Sequence, residues 1–137
     1  PAGAAKAPAP LIVFVHGGGW KRGSKDNATG RWKPAHFPGE GYAFASINYR
    51  LVPAATVEQQ AQDVAQAVKA FIERAGSLGI DRRRIVLMGH SIGCPAALAF
   101  AARKPDVDAV VLLAPGHIPR GYYEFANLTP VRKSIDD

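Results

Sequence analysis

The chain has 137 residues, 47% of them hydrophobic and 20% charged, with a formal net charge of +6, 14 glycines, 11 prolines and one cysteine. That length and apolar share fit one domain with its own core, and they exclude a disordered or collagen-like chain. An intrachain disulfide is impossible because Cys94 has no partner, and no apolar run approaches the roughly 20 residues of a membrane-spanning helix.

Residues 1–10 hold one lysine and no hydrophobic stretch, so no secretory signal is read there and a cytoplasmic location is the default. The only methionine is Met88, which leads us to expect a processed chain or a piece of a longer one. Residues 11–15, Leu-Ile-Val-Phe-Val, form a continuous β-branched and aromatic run between prolines and glycines, the pattern of a strand buried on both faces. A Gly-, Lys- and Pro-rich loop is expected over 17–41, followed by a second strand over 42–49 closed by Pro53. Thr56 reads as an N-cap with Gln59 completing a capping box. Val57, Ala61, Val64, Val68 and Phe71 then make one apolar helical face, with Arg74 in the last turn and Gly76 as the stop. A third buried strand is expected over 85–88, an Ala-rich helix over 96–102 and a fourth strand over 107–114. This alternation predicts an α/β fold, a three-layer α/β/α sandwich around a mostly parallel sheet, in one domain over 1–137.

The positive charge has two concentrations. Lys21, Arg22, Lys25, Arg31 and Lys33 fall in one loop opposed only by Asp26, and Arg82, Arg83 and Arg84 stand together behind Asp81. Such clusters can meet phosphate backbones. No aromatic-interleaved strand or recognition helix accompanies them, so solvated loop charge is the better reading and a basic nucleic-acid module the third-ranked one. Cysteine and histidine show no metal-ligand spacing, and neither metal nor cofactor is expected.

Gly89-His90-Ser91-Ile92-Gly93 fits G-x-S-x-G, in which a serine sits on a tight strand-to-helix turn. The flanking glycines are needed because larger side chains would collide across such a turn. Composition alone yields roughly 0.05 such matches in a chain this long, and the buried strand before it and helix after it supply the context. A plain Gly-Ser turn is the bland alternative. His16-Gly17-Gly18-Gly19-Trp20 lies at the end of the first strand, where bare backbone N–H groups can point at a developing oxyanion together with the Ile92 N–H. A phosphate-cradling loop would want Lys and Ser/Thr after the last glycine, which Trp20, Lys21 and Gly23 do not provide.

Together these motifs resemble the α/β-hydrolase superfamily, in its HGGGW-bearing esterase branch of hormone-sensitive-lipase-like carboxylesterases, arylformamidase-like and feruloyl-esterase-like enzymes. Ser46-Ile47-Asn48-Tyr49-Arg50-Leu51-Val52-Pro53, Asp81 with Arg84 and Ile85, and the stretch 109–114 add to the resemblance, which covers about 8–114. It implies that Ser91 is the nucleophile, that Gly18, Gly19 and Ile92 are the oxyanion donors, and that His16 braces the glycine loop, with Gly89 and Gly93 supporting the elbow. His90 is read as a packed residue. The resemblance further implies a spatial strand order of 42–49, 11–15, 85–88, 107–114 and a small ester or aryl amide as substrate.

The family's acid and histidine follow the serine on later strands. Here Asp106 and Asp108 precede their strand, and the only later histidine is His117, which Glu124 could orient as a non-family triad. The fold is therefore expected to be truncated, with its acid and base beyond Asp137 or with His117 as base. A non-catalytic or fragmentary hydrolase-like domain is the alternative reading. Unpaired outer strands would then favour self-association through sheet edges.

Overall fold

The computed structural model describes residues 6–91 and the strand at 109–113. Strand β1 (Ala9–Val15) leads to a 3-10 turn (Ala28–Gly30), helix α1 (Lys33–Gly39), strand β2 (Ala43–Ile47), helix α2 (Val57–Glu73), helix α3 (Ala75–Leu78), strand β3 (Ile80–His90) and strand β4 (Ala109–Leu113). The strands form one parallel sheet in the order β2-β1-β3-β4, the order the resemblance implied. The helix expected over 96–102 lies outside the described residues.

β1 is central, and alternation along it divides the core. Leu11, Val13 and Val15 join Ile85 and Leu87 of β3 on the face covered by Val64 and Val68 of α2. Ile12 and Phe14 join Met88 on the opposite face, with Phe37 of α1 and Phe44 of β2 packed against them. Both faces are apolar, as a parallel sheet requires, and this explains why 11–15 reads as an unbroken hydrophobic run rather than an alternating one.

Helix α2 begins where expected. The Gln59 backbone N–H donates to Thr56 Oγ1 at 3.2 Å while the Thr56 N–H donates to Gln59 Oε1 at 2.9 Å, satisfying two N-terminal donors reciprocally. Arg50 holds the helix from the other side: its Nε and Nη2 reach the two Asp63 carboxylate oxygens at 2.9 and 2.8 Å, and its backbone N–H reaches Oδ2 at 3.0 Å. That forked contact fixes α2 against the segment that follows β2 and holds the Asp63 carboxyl below the usual carboxylate range.

Three boundaries differ from expectation. Gly76 does not stop the helix: the chain resumes as α3, whose Ala75 is buried, and the left-handed residue is Gly79 with φ 67°. The stretch 17–41 contains α1, which buries none of its seven residues and so left no helical periodicity to read. β3 starts at Ile80, five residues early, because exposed Arg82, Arg83 and Arg84 hide its first half and its register against β1 shifts between Ala9 and Leu11.

Candidate active site

Val15 pairs with Gly89, so the chain leaves β1 and β3 side by side at the carboxyl edge of the sheet. From there β1 continues into His16-Gly17-Gly18-Gly19 and β3 into Ser91. Ser91 stands on a turn directly after β3 with φ 50°. A left-handed conformation is uncommon outside glycine and marks a backbone held by its surroundings. Gly17 is one of those surroundings: a Cβ built on it would lie 3.0 Å from Ser91 Cβ and 3.0 Å from the His90 carbonyl oxygen. The glycine loop therefore abuts the serine.

Beyond Gly17 the loop runs through three consecutive positive φ angles, 133° at Gly18, 62° at Gly19 and 63° at Trp20. A Cβ on Gly18 would fall 2.0 Å from the Arg22 carbonyl oxygen, whereas one on Gly19 would meet nothing within 4 Å. Gly19 is accordingly the exposed crest of the loop and Gly18 its crowded base. The Gly18 carbonyl accepts from the Lys21 N–H at 3.3 Å and the Arg22 N–H at 3.0 Å, closing the turn.

His16 is 1% exposed and lies under this loop. Its Nδ1 donates to the Gly17 carbonyl at 2.7 Å, its ring stacks on Tyr49 with centroids 4.4 Å apart, and the Tyr49 hydroxyl donates to the His16 carbonyl at 2.7 Å. Burial pushes the Tyr49 hydroxyl pKa up to about 12. Gly23 lets the chain return closely over the ring, since a Cβ there would sit 2.6 Å from His16 Nδ1. Further out, the Asn48 side chain accepts the Lys25 N–H at 2.7 Å and Ser46 Oγ donates to the Lys25 carbonyl at 2.6 Å.

His90 precedes Ser91 and is partly buried, and among the described residues its Nδ1 has no hydrogen-bond partner. Desolvation, then the charge of Lys33, lowers its pKa. Lys33 itself lies over the Phe14 ring at 4.8 Å, and burial lowers its pKa.

Ser91, Gly18, Gly19, His16 and Gly89 thus meet at one sheet edge. Ile92, Gly93, His117 and Glu124, expected as an oxyanion donor, an elbow support, a base and its orienter, lie outside the described residues. Gln60, Tyr49 and Gly23 are site neighbours that the sequence reading did not assign. A polar Gln60 within the otherwise apolar Val64–Val68 face is the signal that could have found the first. An open groove lined by Asn48, Tyr49, Arg50, Asp63, Gln66 and Ala67 includes none of the glycine loop or Ser91. Among the described residues no group of three or more His, Cys, Asp or Glu side chains could hold a metal ion, and no helix is long and apolar enough to cross a membrane.

Comparison with known proteins bears on this edge. The BD-FAE family model matches residues 1–111. The carboxylesterase NlhH of Mycobacterium tuberculosis is 33% identical over 98 residues, 72% of this chain and 30% of that protein. The isoprenylcysteine alpha-carbonyl methylesterase of Arabidopsis thaliana is 32% identical over 88 residues, 64% of this chain and 20% of its own. Among solved structures, a bacterial heroin esterase superposes with a TM-score of 0.61 at 30% identity, covering 77% of this chain and 33% of that one. The esterase LipW from Mycobacterium marinum does so with a TM-score of 0.66 at 29% identity, covering 80% and 36%. The chain spans about a fifth to a third of the length of the curated relatives it matches. A family match over most of the chain, joined to a parallel sheet that brings a glycine loop against a left-handed serine, means that this chain belongs to the BD-FAE family, in the esterase branch of the α/β-hydrolase superfamily.

Proposed function

We propose that Ser91 is the nucleophile of an enzyme that hydrolyses small carboxylic esters or related aryl amides. The observation that carries this reading is the left-handed Ser91 turn with Gly17 packed against it, because it sets a hydroxyl beside a loop of unshielded N–H groups. The esterase names of the relatives support the same reaction class.

In the proposed reaction Ser91 Oγ adds to the ester carbonyl carbon and gives its proton to a histidine base. The carbonyl oxygen becomes an oxyanion held by the N–H groups of Gly18, Gly19 and Ile92. Collapse expels the alcohol, which takes the proton from the histidine, and leaves an acyl group on Ser91. Water, activated by the same base, then releases the acid and restores the serine. His117, with Glu124 orienting it, is the candidate base within the chain; a base beyond Asp137 is the other. No metal or organic cofactor enters this scheme.

Hydrolysis of an activated short-chain aryl ester by the full-length protein tests the reading. Ser91→Ala should lower kcat by at least about 10³-fold, and a fluorophosphonate should label Ser91. His117→Ala separates the two sources of the base: a comparable loss assigns the role to His117, and an unchanged rate assigns it elsewhere. Hydrolysis that survives Ser91→Ala undiminished would overturn the proposal.

A further inference from the structure

Gln60 is an amide with 1% exposure on a helix face otherwise built from valine. A buried side-chain amide is costly unless it is hydrogen-bonded. Its Nε2 donates to the Trp20 carbonyl at 3.1 Å, and the Val52 N–H donates to that same oxygen at 2.9 Å. Both donors are borne by firmly held segments: the Gln60 side-chain amide by α2 just after its capping box, the Val52 backbone N–H by the segment that the Arg50–Asp63 contact locks to α2.

The Trp20 carbonyl shares a peptide plane with the Lys21 N–H, and the two point in opposite directions. Fixing the oxygen therefore aims the Lys21 N–H, which donates to the Gly18 carbonyl at 3.3 Å beside the Arg22 N–H at 3.0 Å. The Gly18 carbonyl in turn shares its plane with the Gly19 N–H. A chain of alternating hydrogen bonds and rigid peptides thus runs from Gln60 Nε2 through Trp20 and Lys21 to Gly18, and ends on the Gly19 N–H. Each bond polarises the next peptide and makes its N–H a stronger donor.

We infer that Gln60 is a positioning residue: acting through the Trp20–Lys21 and Gly18–Gly19 peptides, it fixes the direction and donor strength of the Gly19 N–H. The inference rests on the ester-hydrolase reading for its catalytic consequence, though not for the hydrogen-bond chain itself. It also accounts for Trp20 holding a φ of 63° without being glycine, since such a residue persists only where its neighbours over-determine it.

Gln60→Leu and Gln60→Met remove the N–H and keep an apolar side chain of similar length, so α2 packing should survive in the full-length protein. Substrate binding does not need the Gly19 donor, whereas the transition state does. Both variants should therefore lower kcat about tenfold with KM within about twofold of the parent. Inhibition by a trifluoromethyl ketone, whose carbonyl becomes an oxyanion on addition of the serine, should weaken by the same factor. The melting temperature should stay near that of the parent, because the Trp20 carbonyl keeps the Val52 N–H and is not left without a partner. In nuclear magnetic resonance spectra the Gly19 amide proton should move upfield as its donor strength falls. An unchanged kcat in both variants, a loss confined to KM, or an unmoved Gly19 amide resonance would each overturn the inference. If the parent shows no Ser91-dependent ester hydrolysis, the ester reading fails by itself, and the Gly19 resonance alone decides the role of Gln60.

Discussion

The two ends of this sheet are held by different physics. At the carboxyl end, His16, Tyr49 and Gln60 are buried polar groups whose hydrogen bonds converge on a glycine loop in left-handed conformations. At the amino end, Arg82, Arg83 and Arg84 are exposed; Arg83 and Arg84 meet Asp81, and Arg84 also meets the Pro8 carbonyl at the surface. Buried hydrogen-bonded groups lose stability sharply when one partner goes, because the other is left desolvated, whereas exposed ion pairs contribute little. The end with the smaller charge should therefore be the fragile one. That asymmetry is what a loop held in positive-φ conformations requires, and mutation can break it or sharpen it.

The largest effect is expected within the glycine loop. Gly18→Ala puts a methyl group 2.0 Å from the Arg22 carbonyl oxygen at a φ of 133°, so the turn must open. Strain of that kind costs on the order of 2–3 kcal/mol, and displacement of an oxyanion donor costs about 10²–10³-fold in kcat. Gly19→Ala meets open space and carries only its φ of 62°, at roughly 1–2 kcal/mol. Urea unfolding and ester turnover of the two variants side by side check the gradient. Equal losses would mean that conformation alone, not contact with Arg22, shapes the loop.

Burial of Tyr49 gives the next effect, and it depends on pH. Its hydroxyl keeps its proton up to about 12 in the fold but releases it near 10 in the unfolded chain. Below pH 10 both states are protonated and stability is unaffected; from 10 towards 12 the unfolded state releases its proton first, so stability falls as pH rises. The full loss is at most about 2–3 kcal/mol, reduced by whatever solvent reaches the hydroxyl. Tyr49→Phe should abolish this alkaline decline while costing about 1 kcal/mol at neutral pH for the lost bond to the His16 carbonyl. Denaturant midpoints of parent and variant between pH 9 and 11.5 should converge and, once the alkaline loss exceeds the cost of the substitution, cross; parallel curves would mean that water reaches the hydroxyl in the fold.

The sheet was legible because its strands carry their signal locally. The apolar runs at 11–15 and 85–88, and the Thr56 capping box, sit on the elements they predicted. Ser91 and the glycine loop were legible because tight turns at such an edge demand glycine at fixed spacing. What was hidden acts at a distance. Gln60 reaches Trp20 across 40 residues and Tyr49 reaches His16 across 33, so even where a polar residue on an apolar face flags Gln60, no local pattern announces the partner of either. α1 was hidden for the opposite reason, since a short helix that packs only a half-buried Phe37 against the core leaves no periodicity. Early β3 was masked by charges that spacing could not distinguish from a loop.

The smallest effects belong to the amino end, and they test the comparison most severely because they are expected to be nearly nil. Arg83 is 89% exposed and its Nε stands 3.9 Å from Asp81, beyond hydrogen-bond range. Its useful contact is the backbone N–H donated to Asp81 Oδ1 at 2.9 Å, which every residue except proline would keep. Arg83→Ala should therefore change stability by no more than about 0.5 kcal/mol, in either direction. Arg84 does somewhat more, with Nε 2.8 Å from Asp81 Oδ2 and Nη2 2.8 Å from the Pro8 carbonyl, tying the start of β3 to the approach of β1. Its side chain is still 54% exposed, and Arg84→Ala should cost about 0.5–1 kcal/mol, shrinking as salt screens the pair. Chemical denaturation at 0.05 and 0.5 M salt measures both. Should Arg83→Ala cost as much as Gly19→Ala, the amino end would be holding β3 in place through its side-chain charges, and the division between a fragile edge and a tolerant one would not stand.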